Sequence, residues 1–252
     1  MTIKNAREIE RMRAAGLVVA MVHARIQESL QPGITTAELD NIARETLEAN
    51  HAVSSFLGYN GFPRHICTSV NDEIVHGIPG PRRLQNGDIV SVDVGAIVNG
   101  YHGDSAWTYG VGEISDEATR LLETTERALE AAVMAARSGN RLGAIGHGVE
   151  QFARERGYGL VCEYGGHGIG RQMHEDPHVP NHGNPERGVL LRSGVTLAIE
   201  PMLNVGGDET RVLGDGWTVV TADGSLSAHF EHTVAITEAE ADILTKRVVP
   251  VV

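Results

Sequence analysis

The sequence predicts an α/β fold made of two similar halves, each with two helices followed by antiparallel strands. Three observations support this prediction. Helical and strand-like patterns occur twice in the same order, a short motif recurs at a constant spacing, and an Asn-Gly pair between two alternating runs indicates a long hairpin. We therefore expect a single pseudo-symmetric domain over residues 1–252, with halves at about 1–112 and 113–252.

The recurring motif pairs an acidic residue from each half. Leu84-Gln-Asn-Gly87 followed by Asp93 aligns without a gap on Leu191-Arg-Ser-Gly194 followed by Glu200, at an offset of 107 positions. A His-x-x-Pro string stands upstream of both copies. Chance matches do arise in a chain rich in glycine and proline, but the shared order favours an internal duplication. A duplicated fold would bring Asp93 and Glu200 to equivalent places beside a seam.

Four helices are predicted from local start signals and apolar spacing. Asn5 and Thr35 each stand three positions before a glutamate, the signature of a capping box, and predict helices over about 5–30 and 35–50. Ser115, followed by two acidic residues, marks a third start. The other predicted elements are helices over about 115–137 and 142–156 and strands near 195–200, 216–222 and 226–236.

The hairpin places two acidic residues relative to each other. Two strand-like runs flank Asn99-Gly100, the strongest short hairpin signal. With a two-residue loop there, Asp93 faces Ala106, and Asp104 faces Gly95. The two carboxylates then share one face, within roughly 7 Å of each other. They would repel each other unless a cation lay between them; the alternative is a polar outer face of the hairpin.

Three further residues favour a metal site. Glu200 and Glu231 stand in apolar, strand-like surroundings, where a carboxylate is costly to bury without a partner. His167 lies in Gly165-Gly-His-Gly-Ile-Gly170, whose glycines allow tight backbone conformations and bring the ring close to a ligand. Carboxylates and one imidazole suit divalent Mn, Fe, Co or Zn. The oxygen ligands exceed the needs of one ion, so we expect two ions about 3 to 4 Å apart.

Composition limits the partners and the location. A net charge of −12 argues against nucleic acid as a ligand, because phosphate binding needs concentrated lysine and arginine. No apolar run approaches the roughly 18 to 20 residues that cross a bilayer, and the N terminus lacks a secretory signal. Cys67 and Cys162 form no disulfide framework, which is typical of a reducing cytoplasm.

One local pattern is misleading. His174-Glu-Asp-Pro-His178 matches the H-E-x-x-H string of zinc proteases, but that string must be helical to put both histidines on one face. Pro177 prevents a regular helical turn there. We therefore expect no zinc-protease helix at this position.

Over essentially its whole length the chain resembles the short, bacterial-type type I methionine aminopeptidases, members of the M24 metallopeptidases with the pita-bread fold. The likeness rests on five separated motifs in order. They are Asn71-Asp-Glu-Ile-Val-His-Gly-Ile-Pro79, Asp93 with Gly103-Asp104, Gly166-His-Gly-Ile-Gly170, Ile199-Glu-Pro-Met202 and Phe230-Glu-His-Thr233. The resemblance implies a curved antiparallel sheet covered by helices, and removal of the N-terminal methionine from nascent proteins with a small second residue.

The resemblance also implies a role for each site residue. The implied ligands of one ion are Asp93, Asp104 and Glu231, and those of the other are Asp104, His167, Glu200 and Glu231. Glu200 would also accept a proton from the attacking water, His174 would donate to the carbonyl oxygen, and His76 would contact the scissile amide nitrogen. For His76 and His174 the alternative is hydrogen bonding within turns.

A methionine pocket is implied beside the metals. Its residues would be Tyr59, Phe62, Cys67, Met173 and Trp217, together with His76 and His174. Phe62 stands where the family commonly has tyrosine, and Met173 where an aromatic residue is usual. Both are apolar, and a thioether packs readily against a methionine side chain. Ordinary core packing remains the alternative for each of these residues.

Two other functions compete with this prediction. An Xaa-Pro aminopeptidase or prolidase shares the five-ligand set, but such enzymes usually carry a large N-terminal domain, for which the first helix at about residue 5 leaves no room. A non-catalytic binding protein of the same fold would have lost its ligands, whereas all five are present. We expect a monomer acting on nascent polypeptides, and any ribosome contact would use the catalytic domain's own surface.

Overall fold

The computed structural model describes residues 1–247 and shows two helices followed by antiparallel strands, twice over. The helices are α1 (Ala6–Ser29), α2 (Thr36–Ala49), α3 (Asp116–Ala135) and α4 (Gly143–Arg154). The strands before α3 are β1 (Val53–Ser54), β2 (Cys67–Val70), β3 (Glu73–Val75), β4 (Ile89–Val98) and β5 (Tyr101–Gly110). Those after α4 are β6 (Gly159–Leu160), β7 (Gly165–Gly168), β8 (Glu175–Pro180), β9 (Thr196–Ile199), β10 (Met202–Asn204), β11 (Thr210–Val212), β12 (Val219–Thr221), β13 (Ser227–His229), β14 (His232–Ala235) and β15 (Asp242–Ile243).

The strands form four sheets. Their orders are β1-β4-β2 with β5 on β4, β15-β14-β9-β7-β8, β13-β10-β6, and β11-β12-β3. The predicted α/β class is confirmed. Residues 248–252 of the predicted domain lie outside the described part of the chain. Within residues 1–247, no helix has the length and apolar character needed to cross a membrane.

The helix starts are the predicted ones. The Asn5 side chain accepts hydrogen bonds from the backbone N–H groups of Arg7 and Glu8, and the Glu8 carboxylate accepts from the Asn5 N–H, which completes a capping box. Thr35 and Glu38 form the same arrangement at α2. These contacts satisfy backbone donors that the first helical turn leaves without partners.

The long hairpin has the predicted register. Asp93 pairs with Ala106, and Gly95 pairs with Asp104. The φ angles of Asn99-Gly100 are 51° and 76°, and a two-residue turn that matches the strand twist requires both to be positive. The two aspartates therefore lie on the same face of the hairpin.

The other face of β4 belongs to the main hydrophobic core. Val90, Val92 and Val94 alternate with the polar face and are fully buried. They share one apolar cluster with Val19 and Val22 of α1. Burial of each such side chain contributes roughly 1.5 to 3 kcal/mol, so this packing holds the hairpin in place beneath the helices.

The two copies of the recurring motif make similar backbone hydrogen bonds. In each copy the leucine carbonyl accepts from a glycine N–H, and the motif glycine N–H donates to the carbonyl of a buried apolar residue. The matching bonds are Gly33 N to Leu84 O (2.7 Å) and Gly139 N to Leu191 O (3.1 Å), and Gly87 N to Val111 O (2.9 Å) and Gly194 N to Ile236 O (3.0 Å).

The strand predicted near 195–200 is present as Thr196–Ile199, whereas the strand predicted near 226–236 is not continuous. The first ends at Ile199, so Glu200 lies between β9 and β10, and the second breaks at Phe230-Glu231, between β13 and β14. The prediction of an unbroken strand over 226–236 was wrong because the chain leaves one sheet at the break and joins another: β13 pairs with β10, whereas β14 pairs with β9. The strand predicted near 216–222 is shorter, as Val219–Thr221.

Side-chain hydroxyls join β5 to the strands of the second half. Each donates to a backbone carbonyl across the seam, and all three are buried. The bonds are Ser105 Oγ to Glu231 O (2.6 Å), Thr108 Oγ1 to His229 O (2.8 Å) and Thr233 Oγ1 to Asp104 O (2.8 Å). The seam therefore fixes the backbone on both sides of the predicted metal ligands.

Candidate metal centre

The hairpin carries two of the predicted ligands. Asp93 lies between Cys67 on β2 and Ala106 on β5, and Asp104 is almost completely buried. The Asp104 backbone N–H donates to Thr233 Oγ1 at 3.0 Å. Both aspartates thus lie on paired strands rather than on loops, Asp93 between two neighbouring strands and Asp104 on a strand that pairs with β4.

His167 reaches the same place from β7. Its Nδ1 lies 2.9 Å from the Gly168 carbonyl oxygen and donates to it, which orients the ring and leaves Nε2 to face the site. Nε2 lies 3.8 Å from Asp104 Oδ2 and 3.8 Å from Glu200 Oε1. Nε2 is therefore the ring nitrogen that faces the two carboxylates.

The glycines around His167 are needed for a structural reason different from the predicted one. His167 lies on a strand, and Gly165, Gly166 and Gly168 do not have positive φ angles. A Cβ on Gly166 would lie 2.1 Å from the Ala198 carbonyl oxygen of β9. These glycines allow β7 to lie close to its neighbours, and the expectation of tight backbone conformations was wrong.

The two glutamates lie at the strand breaks. The Glu231 N–H donates to the Ala106 carbonyl at 2.8 Å, and Ser105 Oγ donates to the Glu231 carbonyl. The Glu200 carbonyl accepts from the Asn181 amide at 3.0 Å. Both backbones are thus held by hydrogen bonds while the carboxylates point inward, where Asp104, His167 and Glu231 offer ligand atoms within 4.8 Å of one another.

Several inward-facing atoms lack a hydrogen-bond partner within residues 1–247. The buried carboxylate oxygens in this condition are Asp93 Oδ1, Asp104 Oδ1 and Glu231 Oε1. A buried polar atom without a partner is costly, and native proteins rarely leave several in one place. Oxygen donors with one imidazole are the ligand set of a divalent cation, so these residues fit a metal.

The pKa values reflect the crowding of carboxylates. Burial raises the pKa of Asp93 to about 7. Burial and the neighbouring carboxylates raise the pKa values of Asp104 and Glu231 well above their ordinary range. Burial also opposes ionisation of Glu200, but its contact with His229 and the nearby imidazoles lowers its pKa below the ordinary value. A cation would relieve this repulsion.

Two histidines face the cavity above the carboxylates. Burial lowers the pKa of His174 to about 4, with a further contribution from His167, whose ring centroid is 4.2 Å away. The Tyr59 hydroxyl lies 2.8 Å from His174 Nδ1. His76 has a φ of 61°, a left-handed conformation that is strained for a residue with a Cβ and that recurs at functional sites. Burial lowers the pKa of His76.

All of the site residues predicted from the sequence line one cavity of about 210 Å³. Its apolar side includes Phe62 and Trp217, whose rings meet edge to face at 5.1 Å. The lining residues are Tyr59, Phe62, Cys67, His76, Asp93, Asp104, His167, Met173, His174, Glu200, Trp217 and Glu231, with Phe56 and Asn60. Phe56 and Asn60 were not predicted, since neither belongs to a recognisable motif. His229 was also missed, although its two-residue spacing from Glu231 was an available signal.

Sequence comparison defines the class of protein. A family model described as metallopeptidase family M24 matches residues 10–238. The chain is 51% identical over 243 residues to methionine aminopeptidase 1 of Bacillus subtilis (strain 168), covering 96% of this chain and 98% of the relative. It is 49% identical to methionine aminopeptidase 1 of Mycobacterium tuberculosis (strain CDC 1551 / Oshkosh), covering 96% and 94%. The chain belongs to metallopeptidase family M24 and, within it, to the methionine aminopeptidases.

Structural comparison agrees. A methionine aminopeptidase from Thermotoga maritima superposes with a TM-score of 0.96 at 44% identity, covering 98% of this chain and 100% of that one. A prolidase from Pyrococcus furiosus has a TM-score of 0.78 at 23% identity, with 98% of this chain and 66% of that chain covered, and this likeness shows the fold alone. The fold implied by the family resemblance is confirmed.

Proposed function

We propose that this enzyme hydrolyses the first peptide bond of polypeptides that begin with methionine and have a small second residue. One observation carries the proposal: a single cavity combines a cluster of buried carboxylates with an apolar compartment closed by Phe62 and Trp217. The carboxylate cluster suits hydrolysis, and the apolar compartment suits a linear thioether side chain.

Two divalent cations, from among Co, Mn, Fe and Zn, are the proposed cofactors. Their ligands would be Asp93, Asp104 and Glu231 for one ion, and Asp104, His167, Glu200 and Glu231 for the other. When bound, such cations supply Lewis-acid polarisation of a carbonyl and make water a stronger nucleophile near neutral pH. The unpartnered oxygens of Asp93, Asp104 and Glu231 support this assignment.

Three side chains would accept the proton and make the hydrogen bonds that the reaction needs. Glu200 is the proposed acceptor of the proton from the attacking water, because its lowered pKa keeps it ionised while its neighbours resist ionisation. His174 is neutral near pH 7, with its pKa lowered to about 4, and if Nδ1 accepts from Tyr59 its Nε2–H can donate to a carbonyl oxygen as negative charge develops. His76, which lines the same cavity, would contact the scissile amide nitrogen.

The proposed methionine compartment lies next to these groups. Cys67 stands beside Asp93 in the strand register, and burial raises the pKa of its thiol, so it contributes a neutral, apolar wall. Met173 is buried and precedes His174 directly. A methionine side chain between Met173, Cys67 and Phe62 would place its own carbonyl near the carboxylates.

A peptide panel tests this function. Protein loaded with Mn(II) should release methionine from Met-Gly and Met-Ala peptides, and release from Met-Leu or Met-Arg peptides should be at least about tenfold slower, since a bulky second residue costs binding energy in a closed site. Xaa-Pro dipeptides are the matched comparison. Faster cleavage of Xaa-Pro bonds would instead favour a prolidase-like activity, and release of no residue would favour a binding protein.

The proposal extends to partners and location. The substrates would be nascent chains, which places the protein in the cytoplasm, with a monomer as the working unit. Contact with ribosomes would use the surface of the catalytic domain. Gel filtration with light scattering tests the monomer, and co-sedimentation with ribosomes tests the contact.

A further inference from the structure

His229 is a buried histidine next to Glu200 of the candidate site. It ends β13, and its backbone is clamped to β5: the His229 N–H donates to Thr108 Oγ1 at 2.9 Å, and Thr108 Oγ1 donates to the His229 carbonyl at 2.8 Å. On the other side it pairs with Met202 of β10. Only 1% of the residue is exposed. The ring is therefore held on a rigid base.

The ring nitrogen is directed at Glu200. His229 Nε2 is buried and has no hydrogen-bond partner within residues 1–247. It lies 3.6 Å from Glu200 Oε2, so a shift of about half an ångström completes a hydrogen bond. The other oxygen, Glu200 Oε1, faces His167 Nε2 at 3.8 Å. The two oxygens of Glu200 are thus divided between His229 below and the ligand cluster above.

We propose that His229 is a positioning residue for Glu200. Its Nε2–H donates to Oε2 and fixes the rotation of the carboxylate, so that Oε1 is presented to the cation and to the attacking water. This inference rests on the proposed role of Glu200 as ligand and proton acceptor. Hydrogen-bond partners behind metal ligands orient the ligand, and their loss typically costs about 10- to 100-fold in metal affinity or activity.

The alternative is that His229 only fills space between β10 and β5. The two roles predict different behaviour on substitution. Glutamine places an amide N–H near the position of Nε2, leucine fills similar volume without a donor, and asparagine carries a donor too short to reach Oε2. Positioning requires the donor, whereas packing requires only the volume.

Metal binding by the metal-free protein is the primary measurement. We expect His229→Leu to weaken Mn(II) binding in titration calorimetry by about 10- to 100-fold and His229→Gln to stay within about threefold of the parent. In peptide turnover, kcat should fall by a similar factor for His229→Leu, while KM changes little. His147→Leu, the same substitution at a half-buried histidine on α4, is the matched control and should leave both quantities unchanged.

Three results would overturn the inference. These are unchanged Mn(II) affinity in His229→Leu, equal loss in His229→Gln and His229→Leu, or a rise in KM alone. If His229→Leu does not fold, His229→Asn takes its place, because it should lose affinity as the leucine variant would, and parent-like affinity would contradict the proposal. The calorimetry measures Mn(II) affinity without any peptide substrate, so its result does not depend on the peptide panel. Failure of the proposed function is therefore distinguishable from failure of this inference.

Discussion

The residues of the site differ in the backbone elements that carry them. The aspartates project from paired strands and the glutamates from breaks between strands, whereas Tyr59 lies on a short 3-10 turn, Tyr59–Gly61, and is 38% exposed. Its hydroxyl nevertheless contacts His174 Nδ1, and the two rings lie 5.2 Å apart at their centroids. Tyr59 therefore both borders the cavity and holds the histidine proposed to stabilise the developing charge.

Tyr59→Phe separates these two contributions, because it removes the hydroxyl and keeps the ring. We expect kcat for a Met-Ala peptide to fall about 2- to 12-fold, the value of one hydrogen bond, with little change in KM. Tyr158→Phe, at a half-buried tyrosine after α4, is the matched control. An unchanged kcat together with a raised KM would mean that Tyr59 is only a wall of the methionine compartment.

At the scale of elements, the sequence predicted the features that depend on contacts between residues close together in the chain. The capping boxes at Asn5 and Thr35 and the turn at Asn99-Gly100 depend on residues within a few positions of each other, so the helix starts and the hairpin register were accessible from the sequence. The breaks at Glu200 and Glu231 were not, because they arise from pairing between strands distant in the chain.

The same distinction between local and distant contacts applies to the site residues. The ligands and pocket residues came from motifs and family resemblance, and they line one cavity. His229 was missed because its partner, Glu200, is distant in the sequence, between β9 and β10. The glycines beside His167 were recognised as necessary, but the reason depends on the distance between β7 and β9, which the sequence does not reveal.

Gly166→Ala tests the need for close strand approach. The new Cβ would lie 2.1 Å from the Ala198 carbonyl oxygen, so β7 and β9 must separate and carry His167 away from Asp104. We expect a loss of about 1 to 3 kcal/mol in the free energy of unfolding by urea, with weaker Mn(II) binding. Gly148→Ala on α4, with its nearest neighbour at 3.6 Å, should be neutral or stabilising by up to about 1 kcal/mol. A Gly166→Ala protein with parental stability and metal affinity would contradict this explanation.

At the scale of the whole molecule, the carboxylate cluster draws its side chains from both parts of the chain. Asp93 and Asp104 come from the hairpin, whereas Glu200 and Glu231 come from the strand breaks of the second half. Their mutual repulsion acts across the seam that Ser105, Thr108 and Thr233 hold together. A bound cation should therefore stabilise the association of the halves as well as the site itself.

Thermal unfolding with and without metal tests this coupling. Mn(II) at about 100 times its dissociation constant should add about 2.7 kcal/mol to the free energy of unfolding, which raises Tm by roughly 5 to 10 °C for a chain of this length, and a chelator should reverse the shift. Asp104→Asn should abolish the shift together with activity.

The metal-free form of Asp104→Asn should be at least as stable as the parent, because a buried carboxylate that resists ionisation is replaced by a neutral amide. Asp116→Asn, at an exposed position in the first turn of α3, should retain the full shift. A metal-dependent rise in Tm that survives Asp104→Asn would show that the stabilising cation binds elsewhere.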